Sequence, residues 1–103
     1  MIRKVRWSRD ALDDLKSVLA YIDTENPAAA RRIAATLEEV ANALGKFLTG
    51  RPGRRAGMYE KSVPKLPYII AYEIWAPGEV ETVMIIRIIH SARNWPKGAW
   101  PES

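Results

Sequence analysis

Between Val80 and His90 the chain runs Val-Glu-Thr-Val-Met-Ile-Ile-Arg-Ile-Ile-His, and Val83 to Ile86 is apolar at every position. Successive side chains of a strand point to opposite faces, so this strand needs cover on both sides and a place inside a sheet. Tyr68 to Trp75 is a second apolar strand just upstream, joined by Ala76-Pro77-Gly78-Glu79. Pro fixes its own φ and Gly accepts a positive one, which is turn chemistry, so the two strands are predicted to form a hairpin.

The rest of the chain supplies the cover. Lys4 to Trp7 alternates as a short strand, and Ser8 follows as a helix N-cap with Asp10 in the first turn. Leu12, Leu15, Leu19 and Ile22 recur at helical spacing with Val18 beside them, while Asp13, Asp14 and Lys16 take the outer face; the Asp13-Asp14 pair reads as solvated. Asn26-Pro27 starts a second helix, Asn as N-cap and Pro at the first helical position. Its stripe is Ile33, Leu37, Val40, Ala41, Leu44 and Phe47. Gly and Pro punctuate residues 50–57 too closely for regular structure, and Met58 to Val63 is a strand of mixed polarity near an edge. The predicted fold is one α+β domain over residues 1–103: an N-terminal strand, an antiparallel helical hairpin, then a three-stranded antiparallel meander.

Composition closes several routes. No Cys is present, so disulfides and thiolate metal sites are excluded, and the single His excludes a multi-histidine site. No cofactor motif is present. No apolar run approaches the ~20 residues of a membrane span, and the N-terminus lacks the apolar run of a signal peptide. The expectation is a soluble, cytoplasmic protein that does not engage membranes. The net charge is +4 and unevenly placed. Arg51, Arg54, Arg55, Lys61 and Lys65 face only Glu60 between 51 and 67, whereas Asp10, Asp13, Asp14, Asp23 and Glu25 dominate 8–26. Such a basic stretch fits an acidic partner, either nucleic acid or an acidic protein segment, or else a solvated loop.

The last strand runs straight into His90-Ser91-Ala92-Arg93-Asn94-Trp95-Pro96. Polar groups held at the end of a stiff sheet are placed as functional groups commonly are. His90 could act as a base or could pin the tail. Arg87, flanked by Ile86 and Ile88, must be paired, with Glu60 or Glu73 as candidates, or reach solvent at a sheet end. Arg93, Asn94 and Trp95 lie past the strand, where no core requirement explains them; Trp95 could also cap the core. Tyr68 and Tyr72 share a strand face and suit packing. With Trp7, Trp75, Trp95 and Trp100, the chain has four Trp at strand ends or in the tail, which favours a protein partner over a small-molecule pocket.

Taken in order, these pieces resemble the ParE toxins of the ParE/RelE superfamily, the toxin halves of bacterial toxin–antitoxin pairs. The resemblance rests on the element order, the Asn26-Pro27 break, the Arg51-Pro52-Gly53 loop, Pro67-Tyr68-x-x-x-Tyr72, and the closing His90-x-x-Arg93-x-Trp95-Pro96. It implies a non-enzymatic toxin that binds DNA gyrase and stalls it on cleaved DNA. It also implies a ParD-like antitoxin whose C-terminal half is disordered alone and folds on the toxin. His90, Arg93, Asn94 and Trp95 would then carry target binding; Arg31, Arg32, Arg51, Arg54, Arg55 and Trp75 would meet the antitoxin. The RelE branch instead cuts ribosome-bound messenger RNA, and a nuclease here would rely on Glu60, Arg87, His90 and Arg93. Metal-free RNA cleavage needs a base, an acid and cations around the phosphate. Pro67-Tyr68 stands where that branch has a cation, and Gly57-Met58-Tyr59-Glu60 replaces the Gly-Thr-Arg-Glu of many ParE relatives. A member that keeps only antitoxin binding is a third possibility.

Overall fold

The computed structural model describes residues 3–53, 56–76 and 80–90. Its elements follow the order β1 (Lys4–Trp7), α1 (Arg9–Asp23), α2 (Pro27–Ala43), β2 (Arg51–Pro52), β3 (Tyr59–Ser62), β4 (Tyr68–Trp75) and β5 (Thr82–His90). The strands form one sheet in the order β1-β5-β4-β3-β2. β5 therefore has a strand on either side, as its apolar run requires. It pairs with β1 in parallel, Val5 beside Val83 and Trp7 beside Ile85, and with β4 antiparallel. The expected α+β architecture is present.

Local chemistry sets the helix starts. Ser8 accepts from the Ala11 amide at 3.0 Å, and its hydroxyl donates to the Ile86 carbonyl at 2.9 Å, so one residue caps α1 and ties it to β5. Asn26 accepts from the Ala29 amide at 3.1 Å, with Pro27 opening α2. Ala11, Leu15 and Val18 of α1 and Leu37 and Ala41 of α2 pack with Leu44 on one face of the sheet.

Two residues of the predicted apolar stripes are exposed. Leu12 is 43% exposed while Ala11 is fully buried, so α1 is rotated about its axis from the expected stripe. Phe47, expected in the second stripe, lies beyond the end of α2 and is 73% exposed.

The Gly-Pro-rich stretch also departs from expectation. Arg51 and Pro52 pair with Glu60 and Tyr59 as a short outer strand, so β3, expected near an edge, lies one place in from it. Gly50 makes this possible. It holds φ at +111°, and a Cβ there would lie 2.5 Å from the Glu60 carbonyl oxygen. Pro52 is tolerated because an outer strand can spare a donor. The predicted hairpin turn at Pro77, Gly78 and Glu79 lies outside the described residues.

β5 carries an irregularity that explains its unbroken apolar run. Tyr72 pairs with Ile85 and Ala71 with Arg87, leaving Ile86 as an extra residue. A bulge of this kind resets the two-residue alternation. Val83, Ile85 and Ile88 consequently all join the helix-side core, whereas Ile86 and Ile89 cluster with Met58 and Ala71 on the opposite face.

Candidate functional site

Past the end of β1, the free edge of β5 is closed by α1. The Asp14 carboxylate accepts from Arg87 Nε at 2.7 Å and Nη2 at 3.0 Å, and from the Ile88 backbone amide at 2.9 Å. These bonds to Asp14 push the Arg87 guanidinium above its ordinary pKa, outweighing the opposing effect of burial. The expected partners, Glu60 and Glu73, are both engaged elsewhere. Glu60, only 2% exposed, accepts from Arg51 Nη2 at 3.3 Å; Glu73 accepts from the Trp75 indole at 2.8 Å. Asp14 is therefore no solvated helix residue, and sequence separation hid it: the pairing spans 73 positions.

The sheet register separates the nuclease candidates. Glu60 pairs with Ala71, and Ala71 with Arg87, so both side chains leave the sheet on the face away from the helices, but Arg87 reaches round the edge of β5 to Asp14 on α1. His90 pairs with Tyr68, which belongs to the helix-side core. The two rings meet edge to face at 5.4 Å. The buried Glu60 carboxylate is ion-paired to Arg51, the Arg87 guanidinium is held by Asp14 of α1, and the imidazole stands on the sheet face opposite Glu60, so the three do not converge on a phosphate. Arg93, Asn94 and Trp95 lie outside the described residues, as do Arg54 and Arg55. Among the described residues no His, Asp or Glu cluster could hold a metal ion, and no helix is long and apolar enough to cross a membrane.

Of the residues expected at an antitoxin surface, Arg31, Arg32, Arg51 and Trp75 are described, and all are exposed. They fall on two different surfaces. Arg31 lines a shallow notch of about 300 Å³ between the helices, with Leu19, Ala20, Ala30 and Ala34. Arg51 belongs to a second depression of about 180 Å³, bounded by residues 48–52 on one side and by Tyr59, Tyr72 and Ile74 on the other.

Sequence reasoning did not find this groove. Its floor is the Tyr59–Tyr72 stack, ring centroids 5.5 Å apart and planes 22° apart. The Tyr72 hydroxyl donates to the Thr49 carbonyl at 2.6 Å and so ties the loop wall to the sheet. Burial, reinforced by Tyr59, raises the Tyr72 phenol above its ordinary pKa. Trp75, Leu48 and Phe47 are 47%, 42% and 73% exposed. The available signal was the alternation Tyr68-x-Ile70-x-Tyr72-x-Ile74, which shares one face, but nothing local says that the helices leave its far end uncovered.

Comparison with known proteins agrees with this architecture. The family model for the ParE toxin of the type II toxin–antitoxin system parDE matches residues 5–95. A Sinorhizobium fredii protein named as a candidate toxin, Y4kP, is 35% identical over 96 residues, covering 92% of this chain and 95% of its own. A solved chain from the chromosomal ParDE toxin–antitoxin system of P. aeruginosa superimposes with a TM-score of 0.76, over 86% of this chain and 96% of that one. At 19% identity that likeness speaks for the fold. The strand–hairpin–sheet order and the family match along nearly the whole chain together place this protein in the ParE toxin family of type II toxin–antitoxin systems.

Proposed function

We propose that this chain arrests growth by binding DNA gyrase rather than by catalysis, and that a ParD-like antitoxin restrains it in the cytoplasm. The observation that carries this reading is the ParE toxin match across residues 5–95. The geometry supports binding over cleavage, because Glu60 and Arg87 are committed to separate ion pairs, with Arg51 and with Asp14, and His90 stands on the sheet face opposite Glu60. A ribonuclease would need base, acid and phosphate-binding groups around one point. The ParDE system to which the structural relative belongs supports an antitoxin partner, and the exposed Arg31, Arg32 and Arg51 suit an acidic segment.

The test has two arms. Purified protein is added to gyrase and relaxed plasmid, and supercoiling should be inhibited with cleaved DNA accumulating. In cells, induction without antitoxin should stop growth with signs of DNA damage while messages stay intact. Codon-specific cuts in translated messages with normal supercoiling would replace this reading with the RelE-like one.

A further inference from the structure

We infer that the groove between residues 48–52 and Tyr59, Tyr72 and Ile74 is a selectivity pocket for the antitoxin, taking one bulky apolar side chain from an acidic stretch of it. This inference rests on the antitoxin reading above and narrows it to one pocket and one kind of anchor.

The volume is the first reason. At about 180 Å³ the groove is smaller than the ~300–1,000 Å³ of sites that enclose whole small ligands, yet suits a single branched or aromatic side chain. Its chemistry is the second. Tyr72 has already given its hydroxyl to Thr49, and Tyr59 and Tyr72 lie face against face. Leu48, Pro52 and Ile74 add apolar wall, so these side chains offer contact area rather than hydrogen-bond readout of a base. The third reason is rigidity. Gly50 lets the loop press against the Glu60 carbonyl, and the Tyr72 bond holds it there, so little ordering remains to be done on binding.

Charge identifies the occupant. Exposed Lys46 precedes the wall and Lys61 follows Tyr59 along the same face of β3, while Arg51 lines the wall with its guanidinium bonded to Glu60 at 3.3 Å. The one carboxylate described between 46 and 61, Glu60, is 2% exposed and faces the other side of the sheet. An apolar floor with lysines in both flanking segments fits an apolar anchor flanked by Asp or Glu. Anchors seated in small dry pockets dominate interface energies, and rim charges mainly set association rate and partner choice.

The experiment is a double-mutant cycle by calorimetry on the full chain. The probe is a synthetic peptide of the C-terminal half of a ParD-like antitoxin that binds the chain, with each bulky apolar residue replaced by Ala in turn. Leu48→Glu and Tyr59→Ala should each weaken the parent peptide at least 30-fold, while Lys16→Glu on the exposed side of α1 should weaken it less than 5-fold. One alanine-replaced peptide should lose most of its affinity for the parent chain but little more for Tyr59→Ala, because both changes empty one pocket. Leu48 and Tyr59 are partly exposed, and thermal melts identify any variant that fails to fold; Lys61→Glu, which should slow association at least 3-fold, then serves in its place.

Tight binding of the parent peptide with no effect from the groove variants would overturn the pocket and leave the antitoxin reading standing. No binding of the parent peptide would overturn the pocket, and no binding of any ParD-like antitoxin would overturn both. Tighter capture of an oligothymidylate than of the peptide would make the groove a nucleic-acid contact and overturn the inference.

Discussion

Asp14 holds more of this molecule together than its place in an Asp-Asp pair suggests. Its carboxylate takes two bonds from Arg87 and one from the Ile88 amide, with side-chain exposures of only 17% and 24% for the ion pair. Removing one partner from such a pair leaves a half-buried charge and a backbone donor without their acceptor. Asp14→Ala should therefore lower the unfolding free energy by about 2–4 kcal/mol, read from urea denaturation. Asp13→Ala, one position away on the exposed side, should change it by under ~0.5 kcal/mol. Equal effects from the two would show that the clasp contributes nothing. The sequence could not distinguish these neighbours, because a helical stripe leaves its rotation uncertain by about one residue. The same uncertainty sent Leu12 inward on paper and Ala11 inward in the molecule.

Among the elements, the β3–β4 connection carries a backbone cost that can be measured. Lys65 holds φ at +65° after Pro64, in a turn closed by the Leu66 amide and the Val63 carbonyl at 3.3 Å. A side chain in the left-handed region costs roughly 1–2 kcal/mol, which Gly avoids, although Gly also loosens the unfolded chain by about 0.4–1 kcal/mol. Lys65→Gly should thus stabilise the protein by about 0.5–1 kcal/mol net, seen as a higher urea midpoint at unchanged slope. A lower midpoint would mean that the Lys side chain contributes more than its backbone costs. Element starts were legible in the sequence, since Ser8, Asn26 and Pro27 act within one turn of where they sit. β2 was not legible, because two residues become a strand only when β3 lies alongside them.

For the whole molecule, the two faces of the sheet have separate histories. One is covered by α1 and α2, and its core runs from Ala11 and Leu37 to Ile70 and Ile85; the other gathers Met58, Ala71, Ile86 and Ile89. The groove opens on the helix side, where apolar residues stay exposed at the far end of β4. Apolar burial should therefore supply most of the antitoxin affinity, since exposed ion pairs give only ~0–1 kcal/mol each. Raising NaCl from about 50 to 500 mM should shift the dissociation constant less than ~10-fold while slowing association by more. Stopped-flow and calorimetric titrations separate the two. A loss of affinity of about a thousandfold would mean that the basic residues dominate, as they do for nucleic acid.

The sequence alone determined the kinds of element, their order and the need for a two-sided inner strand. Those follow from caps, proline geometry and apolar periodicity, which act over a few residues. The order of its motifs also sufficed to place it near the ParE toxins. Tertiary structure alone decided which groups meet. One extra residue at Ile86 sets the facing of everything after it, which puts Ile88 in the helix-side core and His90 on the face away from Glu60. The packing of α1 against β5 chose Asp14 over Glu60 and Glu73 as the partner of Arg87. The groove exists because Gly50 and Tyr72 draw a loop onto a sheet that the helices do not fully cover. Facing and partnership depend on register and on packing between distant segments, and no local pattern of residues encodes either.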